Sequence, residues 1–79
     1  MSERGERSMA GMREQYKEIL TRHLGHLPQI EADRIDQMGE HEIRYNLEQL
    51  ERLDRDFQRD GQPDSAFMIE AQKRRHLAR

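Results

Sequence analysis

From Glu40 to Asp60 the apolar residues Ile43, Leu47, Leu50, Leu53 and Phe57 recur at gaps of four, three, three and four. That spacing returns every one of them to a single face of an α-helix. Gly39 stands before the segment, and Gly61 and Pro63 stand after it, so both ends carry stop signals. A helix of this kind persists in water only when its apolar face is covered. The chain must therefore supply a partner for this face or find one outside itself.

A second stripe lies upstream: Met9, Met12, Tyr16, Ile19, Leu20 and Leu24. Ser8 is placed to cap it, Gly25 to end it in the left-handed conformation, and Pro28 follows at the usual distance. The spacing predicts a first helix over about 8–24 and a second over about 40–60. Met12, Tyr16, Ile19 and Leu24 are the expected partners of the Ile43–Phe57 stripe, packed as an antiparallel hairpin. Between the two, residues 29–38 present Ile30, Ile35 and Met38 as anchors of a short helix capped by Asp33, or a segment continuous with the next helix through Gly39. A glycine inside a helix costs about 1 kcal/mol relative to alanine, which favours a break there. After the Gly61-Gln62-Pro63 turn, Asp64 or Ser65 is expected to cap a last helix over about 65–78.

Composition supports this all-α reading. Valine, tryptophan and cysteine are absent and threonine occurs once, so strand formers are scarce. Without cysteine there is neither a disulfide nor a thiolate metal site. No run of 18 apolar residues is present, so no membrane-spanning helix is expected. Met1 to Arg7 lack the apolar region of a secretory signal, which points to a frayed, disordered tail ahead of one helical domain over 8–79 and to the cytoplasm. A chain of 79 residues that is 38% charged and 33% hydrophobic has little to build a core from. Completion of the bundle by association, with homodimerisation the first expectation, follows from that shortage.

Charge is segregated along the chain: residues 30–64 carry a net charge of −6 and residues 65–79 one of +3. Acid-before-base pairs at i,i+4, Glu40/Arg44, Glu48/Arg52 and Glu51/Arg55, line the central helix and support it locally. The basic cluster Lys73, Arg74, Arg75 and Arg79 invites a nucleic-acid reading, since phosphate contact needs exposed cations on one arm. The plainer reading is a helix C-terminus whose dipole favours cations. The overall acidity, with a pI near 6.1, also weighs against DNA.

Metal and catalytic motifs are weak. Asp56, Gln58, Asp60, Gly61 and Asp64 fall at calcium-loop positions, but the position that needs a bidentate glutamate is Phe67. His23 and His26 have no acid three or four residues away, so they make no E-x-x-H or H-E-x-x-H site and are expected on the surface. No G-x-S-x-G, phosphate-binding or dinucleotide-binding loop occurs. The expectation is no enzyme, no cofactor and no metal.

Tyr45 lies about 200° from Ile43 around the helix, and Phe67-Met68-Ile69 spans too wide an arc for one contact face. Tyr45, Phe67, Met68 and Ile69 are therefore the expected interface residues of a small helical adaptor, subunit or protein inhibitor. A nucleic-acid-binding regulator is the alternative.

Overall fold

The computed structural model describes residues 8–75, and every regular element within them is helical. Four α-helices follow in order: α1 (Met9–Leu24), α2 (Gln29–Gln37), α3 (Glu40–Asp60) and α4 (Phe67–Arg74). One 3-10 turn, Asp64–Ala66, leads into α4. The expected tail over 1–7 lies outside the described residues.

The helix ends follow local chemistry. The Ser8 hydroxyl accepts the Gly11 N–H at 2.9 Å and caps α1. Gly25 and Gly61 end α1 and α3 at φ 82° and 66°, the left-handed region that glycine enters without a Cβ penalty. Residues 29–37 form a separate helix that begins directly after Pro28, so Asp33 lies within it and caps nothing. Gly39 is extended, and its N–H donates to Glu42 Oε1 at 3.2 Å at the start of α3. The i,i+4 pair Glu40–Arg44 closes to 2.7 Å on the exposed face of α3.

The arrangement corrects the antiparallel hairpin. Near the start of α1, Arg13 Nη2 donates to the Met38 carbonyl, just ahead of α3, at 2.8 Å. Near the end of α1, His23 meets Asp54 in the C-terminal half of α3. Register thus advances along both helices together, and α1 and α3 run in the same general sense. The cause is α2, which returns the chain along α1, with Lys17 2.8 Å from Asp36, before α3 begins. The antiparallel partner is α4: its first residue, Phe67, stacks on His23, and Arg75 just past its end reaches Tyr16.

A single cluster fills the space between the helices. Met12, Tyr16, Ile19, Ile43, Leu47, Leu50, Leu53 and Phe57 are buried in it, and Leu24 packs at its edge. Leu20, Ile35, Met38, Phe67 and Ala71 complete it. Helix α1 touches α2, α3, α4 and the 3-10 turn, so it is the spine of the fold.

Candidate functional site

Four polar side chains sit where the apolar stripes pass: His23, Glu31, Asn46 and Arg75. Each occupies a stripe position at helical spacing, His23 after Tyr16 and Ile19, Glu31 before Ile35 and Met38, Asn46 between Ile43 and Leu50, and Arg75 after Phe67 and Ala71. His23 is expected on the surface and Arg75 in an exposed basic arm. The structure places both inside.

Helix α4 stops at Arg74, four residues short of the expected end, and Arg75 adopts an extended backbone at φ −75°, ψ 134°. Its guanidinium turns inward. Nη2 lies 2.6 Å from Glu31 Oε1, and the two side chains are only 3% and 4% exposed. At that distance, and with so little water around it, the attraction between the opposite charges is strong. Nε donates to the Tyr16 hydroxyl at 3.1 Å, and the guanidinium carbon stands 5.6 Å from the centre of the Tyr16 ring. Burial pushes the Tyr16 phenol up, and the neighbouring Arg75 charge and hydrogen bond only partly oppose it. Burial works against the Arg75 cation, but Tyr16 and Glu31 outweigh it and move its pKa upward. Arg75 is thereby withdrawn from any phosphate-binding role. Buried Glu31 on α2, reached from the end of α4, ties the two short helices to α1 through Tyr16.

The other basic residues are also engaged. Arg74 Nη1 donates to Glu70 Oε1 at 2.7 Å, and Lys73 Nζ lies 3.5 Å from Glu70 Oε2. The hydrogen bond from Arg74 and the charge of Lys73 hold the Glu70 carboxyl below its ordinary pKa. Arg79 lies outside the described residues. Of the four expected phosphate contacts, the described part keeps Lys73 and Arg74 at the surface, both beside an acid.

His23 lies against Phe67, with the rings stacked at 3.7 Å and 8° from parallel, and Phe57 meets both rings edge-on. Its Nε2 is 2.6 Å from Asp54 Oδ1 on α3, and its Nδ1 is 2.8 Å from Asp64 Oδ1 on the 3-10 turn. Burial raises the Asp54 carboxyl, but the His23 hydrogen bond, the charges of Arg22 and His23 and a hydrogen bond from Gln58 outweigh it and hold its pKa low. Asp64, expected to cap α4, makes no side-chain cap there and spends its carboxylate on His23 instead.

At the calcium-loop positions, Asp56 and Asp60 pair with Arg59 while Asp64 faces His23. Among the described residues no group of three His, Asp or Glu side chains is placed to hold a metal ion.

The expected interface residues divide between core and surface. Phe67 is 0% exposed and belongs to the core of the single chain, because the His23 and Phe57 rings enclose it. Met68 is half-buried against the core. Tyr45 and Ile69 stand at the surface, 48% and 58% exposed, joined by Ile30 at 60%, which faces out because Glu31 and Ile35 take the inner face of α2. The cleft beside Tyr16, Asn46, Leu50 and Arg75 has no room for a water molecule. An open groove of about 450 Å³ runs past Ser8, Gly11, Gln15 and Glu51. No helix among the described residues is long and apolar enough to cross a membrane.

The fold and its polar core define a small all-helical protein. Comparison with family models, with curated proteins and with solved structures finds no match to this chain.

Proposed function

We propose that this protein is a small non-catalytic helical interaction module, an adaptor, subunit or protein inhibitor that binds another protein chain through apolar positions on its outer helix faces. The observation that carries the reading is the exposure of Tyr45 and Ile69 after Phe67 and the long stripe have been consumed internally. Large aromatic and aliphatic side chains serve as interface anchors, with charges at the rim setting orientation and on-rate. A second copy of the chain is the simplest partner, and dimerisation is the form in which the proposal is tested. The small size of the core is the reason to expect it.

The experiment is sedimentation of the full chain across a concentration series, with the Tyr45→Ser/Ile69→Ser double variant alongside. The proposal expects a mass above the 9.5 kDa of one chain at high concentration, and a weaker association in the variant at unchanged helicity. One-chain mass for both proteins throughout removes the homodimer. The alternative, a nucleic-acid-binding regulator, now rests on Lys73, Arg74 and Arg79 alone. It predicts oligonucleotide binding that falls steeply with salt.

A further inference from the structure

We propose that His23 is a proton-dependent latch that fastens the corner between α3 and α4 onto α1. The geometry sets an unusual demand. Both ring nitrogens lie within hydrogen-bond distance of a carboxylate oxygen, Nε2 of Asp54 and Nδ1 of Asp64. A carboxylate only accepts, so each contact needs an N–H, and only the imidazolium carries two. A neutral ring has one N–H, and its other nitrogen then turns a lone pair toward a carboxylate lone pair. One of the two contacts must open.

The groups around the ring decide which contact opens. On its own helix, Arg22 reaches Asp54, with Nη1 3.4 Å from Oδ2. From α3, Gln58 donates to Asp54 at 3.1 Å, and Asp54 is itself only 13% exposed. Asp54 is therefore held by Arg22 and Gln58 independently of the ring, and keeps the remaining ring proton. Asp64 is 64% exposed on a three-residue 3-10 turn, and His23 is the partner its carboxylate meets in place of a cap. Helix α4 brings the Phe67 ring face to the imidazole. Loss of one proton thus frees Asp64 and, with it, the turn that starts α4. The charge attraction between Asp64 on the turn and the His23 ring on α1 goes with that proton. The latch is closed while both ring nitrogens carry a proton and open once one proton is lost.

The test is urea unfolding of the full chain, followed by helicity, for the natural protein, Asp64→Asn, His23→Gln and the double variant, at about pH 5.5 and about pH 8.5. The other histidines are common to the natural protein and Asp64→Asn, so their effects cancel in the comparison. The latch predicts that Asp64→Asn raises the unfolding constant roughly threefold to tenfold at the lower pH and has no effect at the higher one. In the His23→Gln background the effect of Asp64→Asn vanishes at both pH values. An equal effect of Asp64→Asn at the two pH values overturns the proposal, as does an effect that survives without His23. Asp64 is exposed, so its variant folds. Should His23→Gln fail to fold, the two-pH comparison in the natural background decides alone.

Discussion

Replacing Arg75 by methionine keeps most of the side-chain volume and removes the charge, and the structure sets the cost. Glu31 is left as a carboxylate 4% exposed to water, with its close cation gone and only the half-exposed Arg34 remaining, 3.6 Å from Oε2. Breaking a buried pair from one side typically costs about 3–5 kcal/mol, and the longer contact to half-exposed Arg34 offsets only a small part of it. The Tyr16 hydroxyl loses a donor as well, a further ~1 kcal/mol. Against a total stability on the order of 4–12 kcal/mol for a chain of this length, the loss is a third or more of the whole. Adding Glu31→Leu to Arg75→Met removes the stranded charge. The double variant should then recover most of the loss, since apolar replacement of a buried pair is often neutral or stabilising. The assay is urea unfolding by far-UV circular dichroism, with the slope checked between variants so that a change in midpoint reads as stability. The reasoning fails if Arg75→Met costs less than ~1 kcal/mol, which is what an exposed pair is worth. It fails equally if the two substitutions simply add, which would mean the residues are not coupled.

Other outcomes follow from the same packing. Phe67→Ala should destabilise the single chain by about 3–5 kcal/mol in thermal or urea unfolding, since it empties the space between His23, Phe57 and α4; loss of association at unchanged stability would put Phe67 on an interface instead. Because the Asp54 carboxyl is held below its unfolded value, its contribution is present above the ordinary carboxylate range and is lost as pH falls through the lowered folded value. Asp54→Asn should accordingly flatten the acid limb of a stability-against-pH curve, and an unchanged limb would contradict this. Gly25→Ala and Gly61→Ala meet no atom within 4 Å, so each should cost about 1–2 kcal/mol through its left-handed backbone alone, read from unfolding midpoints.

How much was legible in the sequence follows from how each residue type signals its place. The limits of α1 and α3 could be read because Ser8, Gly25 and Gly61 act locally, through a cap and two left-handed turns. The apolar stripes could be read because burial imposes their period. The polar members of those stripes could not. Glu31, His23 and Arg75 are buried because each finds an opposite charge from another element, and a pairing across tens of residues leaves no local trace. The one signal available was periodicity itself: each continues a stripe whose apolar members were already recognised. Reading Glu31 as inward would have turned Ile30 outward, and reading Arg75 as inward would have ended α4 early. The sense of α1 relative to α3 was missed for a related reason. Two matched stripes pack in either direction, and the direction is set by whether a helix intervenes, which the ambiguous stretch 29–38 concealed. Of the expected interface, Tyr45 and Ile69 stayed outside, while Phe67 was drawn in by the rings of His23 and Phe57.

On the proposed function, α3 and α4 give their inner residues to the fold and present the exposed Tyr45 and Ile69 to a second copy of the chain. Amide chemical shifts recorded by NMR over a concentration series of the natural protein test it most directly. The account predicts concentration-dependent shifts gathered around Tyr45 and Ile69, with Phe67 and Arg75 unmoved. Shifts centred on Phe67 and Arg75, or none anywhere up to the highest concentration at which the protein stays dissolved, would contradict it.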